Sequence, residues 1–99
     1  MSKGEEILVK AISSALKEVA PGLEAVLDAH LKVTMNKGLE AAYENPKEFK
    51  NAVSKLFGDY SARLLEMVII NKLRGRLGEG TDVNSLEELV ERIRRIYGE

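Results

Sequence analysis

His30 is the only histidine of this chain, and there is no cysteine beside it or anywhere else. An imidazole can exchange a proton near neutral pH or contact a ligand, but catalysis would need a nucleophile or a carboxylate held next to it. His30 falls within an apolar helical stripe, so the first reading is a core histidine with one hydrogen bond. The second is a ligand-contacting or pH-sensitive group in a pocket between the second helix and the long apolar helix of residues 60–77. The lack of cysteine excludes thiolate zinc sites, disulfides, iron–sulfur clusters and thiol nucleophiles together. Glu5-Glu6 and Glu87-Glu88 are paired carboxylates, yet each pair falls in the first turn of a predicted helix, where exposed amides and the helix dipole favour negative charge. They read as capping residues. The segment Gly75 to Thr81 holds three glycines without the preceding strand or the Gly-Lys-Ser/Thr ending of a phosphate loop, and reads as a helix end followed by a turn. No catalytic residue, cofactor or metal site is expected.

Two features could serve binding. Lys72, Arg74 and Arg76 close the long helix, and Arg92, Arg94 and Arg95 cluster near the C-terminus. The planar guanidinium suits phosphates, but cations at helix C-termini are also favoured by the dipole, and at 3.6 residues per turn only Lys72 and Arg76 share a face. The formal net charge of -1 lacks the basic balance usual in nucleic-acid binders. The other feature is apolar. Leu64, Met67 and Ile70 lie away from the Leu65, Val68 and Ile69 side of the long helix, which makes them candidates for a homodimer or partner interface.

The elements that must position these residues follow from periodicity and punctuation. Ser2 and Glu5 form a capping box for a first helix whose apolar residues run from Ile7 to Val19. Pro21 is placed at the first turn of a second helix, with Leu23, Val26, Leu27, His30, Leu31 and Thr34 on one stripe, ending at Asn36-Lys37-Gly38. Leu39 to Tyr43 forms a short helical turn. Asn45-Pro46-Lys47-Glu48 caps a third helix that buries Phe49, Ala52, Val53, Leu56 and Phe57. Gly58 stops it, and Asp59 is placed as the cap of the long helix, which is apolar on all sides and therefore central. Asn84 or Ser85 caps a last helix carrying Leu86, Leu89, Val90, Ile93, Ile96 and Tyr97. The fold class is all-α: one helical domain over residues 1–99, a compact bundle of about five helices around a buried central helix at about 60–77.

Composition bounds the rest. A chain of 99 residues supports one core, and 44% hydrophobic with 31% charged residues is globular. The acidic start and the lack of any long apolar run argue against a signal peptide and a membrane span, giving a cytoplasmic reading. The absence of glutamine, cysteine and tryptophan beside abundant Glu, Lys and Arg suggests a thermophilic source.

The run from Asn45 to Gly58, followed by Leu64-Leu65-Glu66 and Ile69-Ile70-Asn71-Lys72-Leu73, resembles a family of small archaeal helical domains described as signalling output domains. The resemblance covers about residues 30–77. It implies an archaeal origin and a regulatory role, and brings no catalytic residues. The leading reading is a non-enzymatic regulatory or protein-interaction module acting through helix packing or homodimerisation, with a protein partner or a second copy. The alternative is a nucleic-acid-binding or transcription-associated domain using Lys72, Arg74, Arg76, Arg92, Arg94 and Arg95. Neither reading needs a membrane or a metal.

Overall fold

The sharpest boundary in the chain is Asn45-Pro46. In the computed structural model, which describes residues 1–78 and 82–99, the Asn45 side chain accepts a hydrogen bond from the Glu48 amide at 3.4 Å, and Pro46 opens the helix that follows. Proline costs nothing at that position, because its missing N–H would have had no helical partner. Ser2 and Ser85 cap their helices in the same way, accepting from the amides of Glu5 and Glu88 at 3.2 and 3.1 Å. Three capped starts thus come from side chains legible in the sequence.

The described residues form α1 (Lys3–Val19), α2 (Glu24–Met35), α3 (Ala41–Glu44), α4 (Pro46–Phe57), α5 (Asp59–Arg74) and α6 (Leu86–Tyr97). The short turn after α2 is a helix of its own, so six helices stand where about five were expected. Ala41, Ala42 and Tyr43 of α3 are all buried, so this brief element is held by packing rather than by its own length. The Cα radius of gyration of 12.5 Å matches the value of about 13 Å expected for a compact chain of this length. The described residues contain no strand.

Two boundaries differ from the sequence reading. Pro21 does not begin α2. It forms a turn with Gly22, whose φ of +86° is a left-handed conformation that breaks the helix, and the Leu23 amide donates back to the Ala20 carbonyl at 3.0 Å. Helix α2 then starts at Glu24 with no side-chain cap, and ends at Asn36 in the left-handed conformation expected of it. Asp59 is not a cap either. Gly58, at φ +90°, takes the cap position, and Asp59 is the first helical residue of α5.

The largest correction concerns α5. It packs against α1, α4 and α6, so it is central in connectivity, but it is not buried on all sides. Leu65, Glu66, Ile69, Ile70 and Leu73 face the interior; Met67 and Val68 are half-buried, and Leu64 is 43% exposed. Ile70, expected at an interface, is 1% exposed and belongs to the core of the single chain. Its position completes the inward Leu65–Ile69–Ile70–Leu73 set, which leaves no part of it for a partner. The same core takes Leu8, Ile12 and Leu16 from α1, Leu27 and Leu31 from α2, Phe49 and Val53 from α4, and Leu86, Leu89 and Ile93 from α6.

This burial pattern separates two otherwise similar substitutions. Ile70→Asp places an unpaired charge in the core and should abolish cooperative thermal unfolding followed by circular dichroism. Leu64→Asp, at a partly exposed position, should keep the helical spectrum and a cooperative transition. Equal tolerance of both changes would contradict the inward placement of Ile70.

Candidate functional site

An apolar groove opens where the end of α1 and the α1–α2 turn meet the α4–α5 junction. Leu16, Val19, Ala20 and Leu23 form one wall, and Phe57, Ser61, Leu64 and Leu65 the other, around a volume of about 230 Å³. The turn made by Pro21-Gly22 brings Leu23 to this rim instead of into a helix interior, and Phe57 reaches it as the last residue of α4. Leu23 and Leu64 remain substantially exposed there, and Tyr60, one turn before Leu64 on α5, is 84% exposed. Residues four apart on a helix share a face, so Tyr60 stands beside the groove as a projecting aromatic. The predicted interface residue Leu64 lines this groove, Met67 is half-buried against the core nearby in sequence, and Ile70 is excluded by burial. The sequence reading takes Leu23 and Phe57 as apolar packing residues of their helices and assigns Tyr60 no role, although the Gly-Asp-Tyr start of α5 is a signal that marks it.

The basic residues do not converge. Lys72 pairs with Glu18 of α1 at 2.6 Å. Arg94 donates to the Tyr43 carbonyl at 2.9 Å, with its guanidinium 4.1 Å from the Tyr43 ring centre, so it is engaged in holding α3 against α6. Arg95 pairs with Glu91 one turn earlier at 3.1 Å. Arg92 and Arg95 line a shallow cleft together with Asp82, Glu88 and Glu91, which is not a one-signed surface. Arg74 and Arg76 are exposed; Arg76 lies beside Lys3 and Lys10 of α1, not beside the C-terminal arginines.

His30 is half-buried. Its carbonyl accepts from the Thr34 hydroxyl at 2.8 Å, while its Nε2 is enclosed without a hydrogen-bond partner among the described residues. It does not line the groove, and α2 packs on α4 and α1. Among the described residues no three His, Asp or Glu side chains converge as metal ligands, and no helix is long and apolar enough to cross a membrane.

One charged residue is buried where apolar residues surround it in sequence. Glu66, 4% exposed, accepts the Leu86 amide at 2.7 Å, the Arg63 guanidinium at 2.8 Å and the Lys50 ammonium at 2.9 Å. Lys50 continues to Glu87 at 2.7 Å, and Arg63 to the Asn84 carbonyl at 3.0 Å. Burial alone would raise the Glu66 pKa. The Leu86 amide and the two cations outweigh it and hold the carboxyl below the ordinary carboxylate value. A second cluster joins the ends of the fold: the Glu99 side chain accepts from Ser2 Oγ at 2.8 Å, from the Gly4 amide at 3.2 Å and from the Tyr43 hydroxyl. Burial, then the Glu99 contact, pushes the Tyr43 phenol up to about 12. Both clusters fasten helices to each other.

Comparison with known proteins places this geometry in a family. The family model described as Nitrosopumilus output domain 5 matches residues 2–95, a longer span than the residues 30–77 that carried the resemblance in sequence. The crystal structure of PH0832 from Pyrococcus horikoshii OT3, an archaeal protein, is similar with a TM-score of 0.91 and 70% identity, covering 99% of this chain and 100% of that one. Among curated proteins none matches.

The buried carboxylate gives a pH signature. A folded-state pKa below the ordinary 4.5 means that ionised Glu66 stabilises the fold above that value and stops doing so as pH falls through the lowered one. Glu66→Gln should cost roughly 1–3 kcal/mol at neutral pH, because it removes the charge that two partly exposed cations bond to, while Lys50 keeps Glu87. In urea unfolding, the gap between wild type and variant should narrow as pH drops below 4.5. A gap independent of pH would show that the charge of Glu66 is not what stabilises this corner.

Proposed function

We propose, from the premise that this chain belongs to the Nitrosopumilus output domain 5 family, that it is a non-catalytic interaction module that pairs with a second copy of itself through the groove between the α1–α2 turn and the α4–α5 junction. An output domain, in the plain sense of that description, passes on a signal received elsewhere, and reversible association is the simplest means available to a domain whose charged clusters are spent on its own packing.

The observation that carries the reading is the pairing of a projecting Tyr60 with an adjoining apolar groove on the same helix start. A two-fold contact is self-complementary: what one copy projects, the other must receive, and both surfaces must lie on one patch. Tyr60 and the groove meet that condition. An aromatic ring also brings a large apolar area at small entropic cost, and exposed apolar side chains are rarely left grouped on a monomer without use. The formal charge of -1 adds little repulsion between copies. Leu64, flanked by Tyr60 one turn before and Met67 three residues after, forms the middle of the contact.

Sedimentation equilibrium supplies the test. Wild type should show a concentration-dependent mass approaching twice 11.0 kDa, whereas Leu64→Asp and Tyr60→Ala should remain monomeric with unchanged helical content. A wild type that stays monomeric at all accessible concentrations, or a dimer indifferent to both changes, overturns the reading.

A further inference from the structure

The outward side of α1 carries Lys3, Lys10 and Lys17, all exposed, at seven-residue intervals. Seven residues make almost two turns, so the three ammonium groups lie on one side of the helix, about 10.5 Å apart along its axis with about 20° of drift per step. The fold adds to this row from a distant part of the chain. Arg76, just after α5, lines a cleft of about 150 Å³ with Lys3, Lys10 and Glu6, floored by Ile7, Ala11 and Leu73. Lys72 reaches the same side of α5 as Arg76 and bonds to Glu18 of α1. Five of the chain's 15 cationic side chains therefore gather along α1 and the end of α5, although the whole chain is formally -1. The acids among them are Glu6, 3.4 Å from Lys10, and Glu18, engaged by Lys72; no ion pair among the described residues engages Lys3, Lys17 or Arg76.

We propose that this surface, α1 with the end of α5, binds the phosphate backbone of a nucleic acid. The row is net positive over about 21 Å of a rigid helix, its acids Glu6 and Glu18 each being held by a cation of the row, and it calls for anions at regular intervals along a line. A nucleic-acid backbone supplies such an array covalently, whereas an acidic peptide would have to be ordered to match it. Lysines act as point charges on flexible stems and suit contact with phosphates without reading base sequence, so the binding is independent of sequence. Arg76 at the cleft adds a planar donor pair that can grip one phosphate from two sides. Of the cations considered in sequence this surface keeps Lys72 and Arg76 and leaves out the C-terminal cluster, since Arg94 and Arg95 are occupied elsewhere and Arg92 faces carboxylates. It does not depend on dimerisation.

The test is fluorescence anisotropy of a labelled duplex of about 20 base pairs, titrated from about 50 mM salt upward, with polyglutamate as a parallel ligand. Saturable binding to DNA is expected, with the logarithm of the association constant falling against that of salt with a slope of about -3 to -4. The doubly substituted Lys17→Ala, Arg76→Ala protein should lose about two units of that slope, whereas Arg92→Ala with Arg95→Ala should change nothing. Lys17, Arg76 and Arg95 are exposed and Arg92 is half-buried, and equal melting temperatures confirm that any loss is local. Absence of saturable DNA binding at the lowest salt, equal weakening by the C-terminal pair of substitutions, or equally tight capture of polyglutamate would each overturn the proposal.

Discussion

A buried carboxylate is tolerable only when its lone pairs are used, because removing a charge from water costs several kcal/mol per ion even after the surroundings relax. Glu66 meets this condition with partners from three parts of the chain: Lys50 of α4, Arg63 of its own helix, and the Leu86 amide at the first turn of α6. The last of these matters most for the architecture. The opening turn of a helix has amides without internal partners and a partial positive charge, and a fixed carboxylate there specifies where α6 may begin and from which side it approaches α5. A purely apolar contact would allow α6 to slide or rotate by a turn with little loss. Here any such shift strands Glu66 without its amide, and the fold is held to one register.

The opposite end is fastened by a different device built from the same chemistry. The Glu99 side chain lies against the start of α1, taking the Ser2 hydroxyl and the Gly4 amide, and the Tyr43 hydroxyl of α3 closes the set. Gly4 is part of the mechanism. A Cβ there would come within 2.7 Å of both the Glu99 carboxylate and the Ile93 side chain, so the closeness of α6 to α1 requires a residue without one. Arg94 completes the corner by spanning the Tyr43 ring and carbonyl. Each end of α6 is thus bonded to another part of the fold, and helix α3, too short to persist alone, is kept by the Tyr43 contacts and by burial of its alanines.

How much of this was legible depends on whether the deciding interaction is local. Ser2, Asn45 and Ser85 cap helices through contacts three residues away, and sequence spacing is enough to find them. The all-helical class and most of the core followed from periodicity for the same reason. Glu66 could not be found that way. Its neighbours Leu64, Leu65, Met67 and Val68 make it look like the one polar break in an apolar helix, and only its spacing from Ile69, Ile70 and Leu73 hints that it faces inward. Arg63 one turn earlier is a local partner, but the others lie 16 residues before and 20 after, at Lys50 and Leu86. Reading the long helix as apolar on all sides had the related consequence of moving Ile70 to the surface. Residues 79–81 of the glycine-rich segment lie outside the described residues, and the turn reading of that part stands as an expectation.

The distribution of charge explains where binding surfaces can lie. Lys50, Arg63 and Glu66 lock α4 to α5 and α6, Arg94 and Glu99 lock α6 to α3 and α1, and each of these groups is spent on holding the fold. What remains available to another molecule is either apolar and shaped by a backbone turn or cationic and far from the locks. The groove lies beside the turns at Gly22 and Gly58, the first leading into Leu23 and the second turning the chain from Phe57 at the end of α4 into α5. The lysine row needs no such device, since a straight helix and a seven-residue spacing are enough to align it. Arg76 joins that row because Leu73 and Leu77 bury themselves on either side of it and hold the end of α5 against α1. The same apolar packing that stabilises the α1–α5 pair therefore builds the cleft in which Lys3, Lys10 and Arg76 meet.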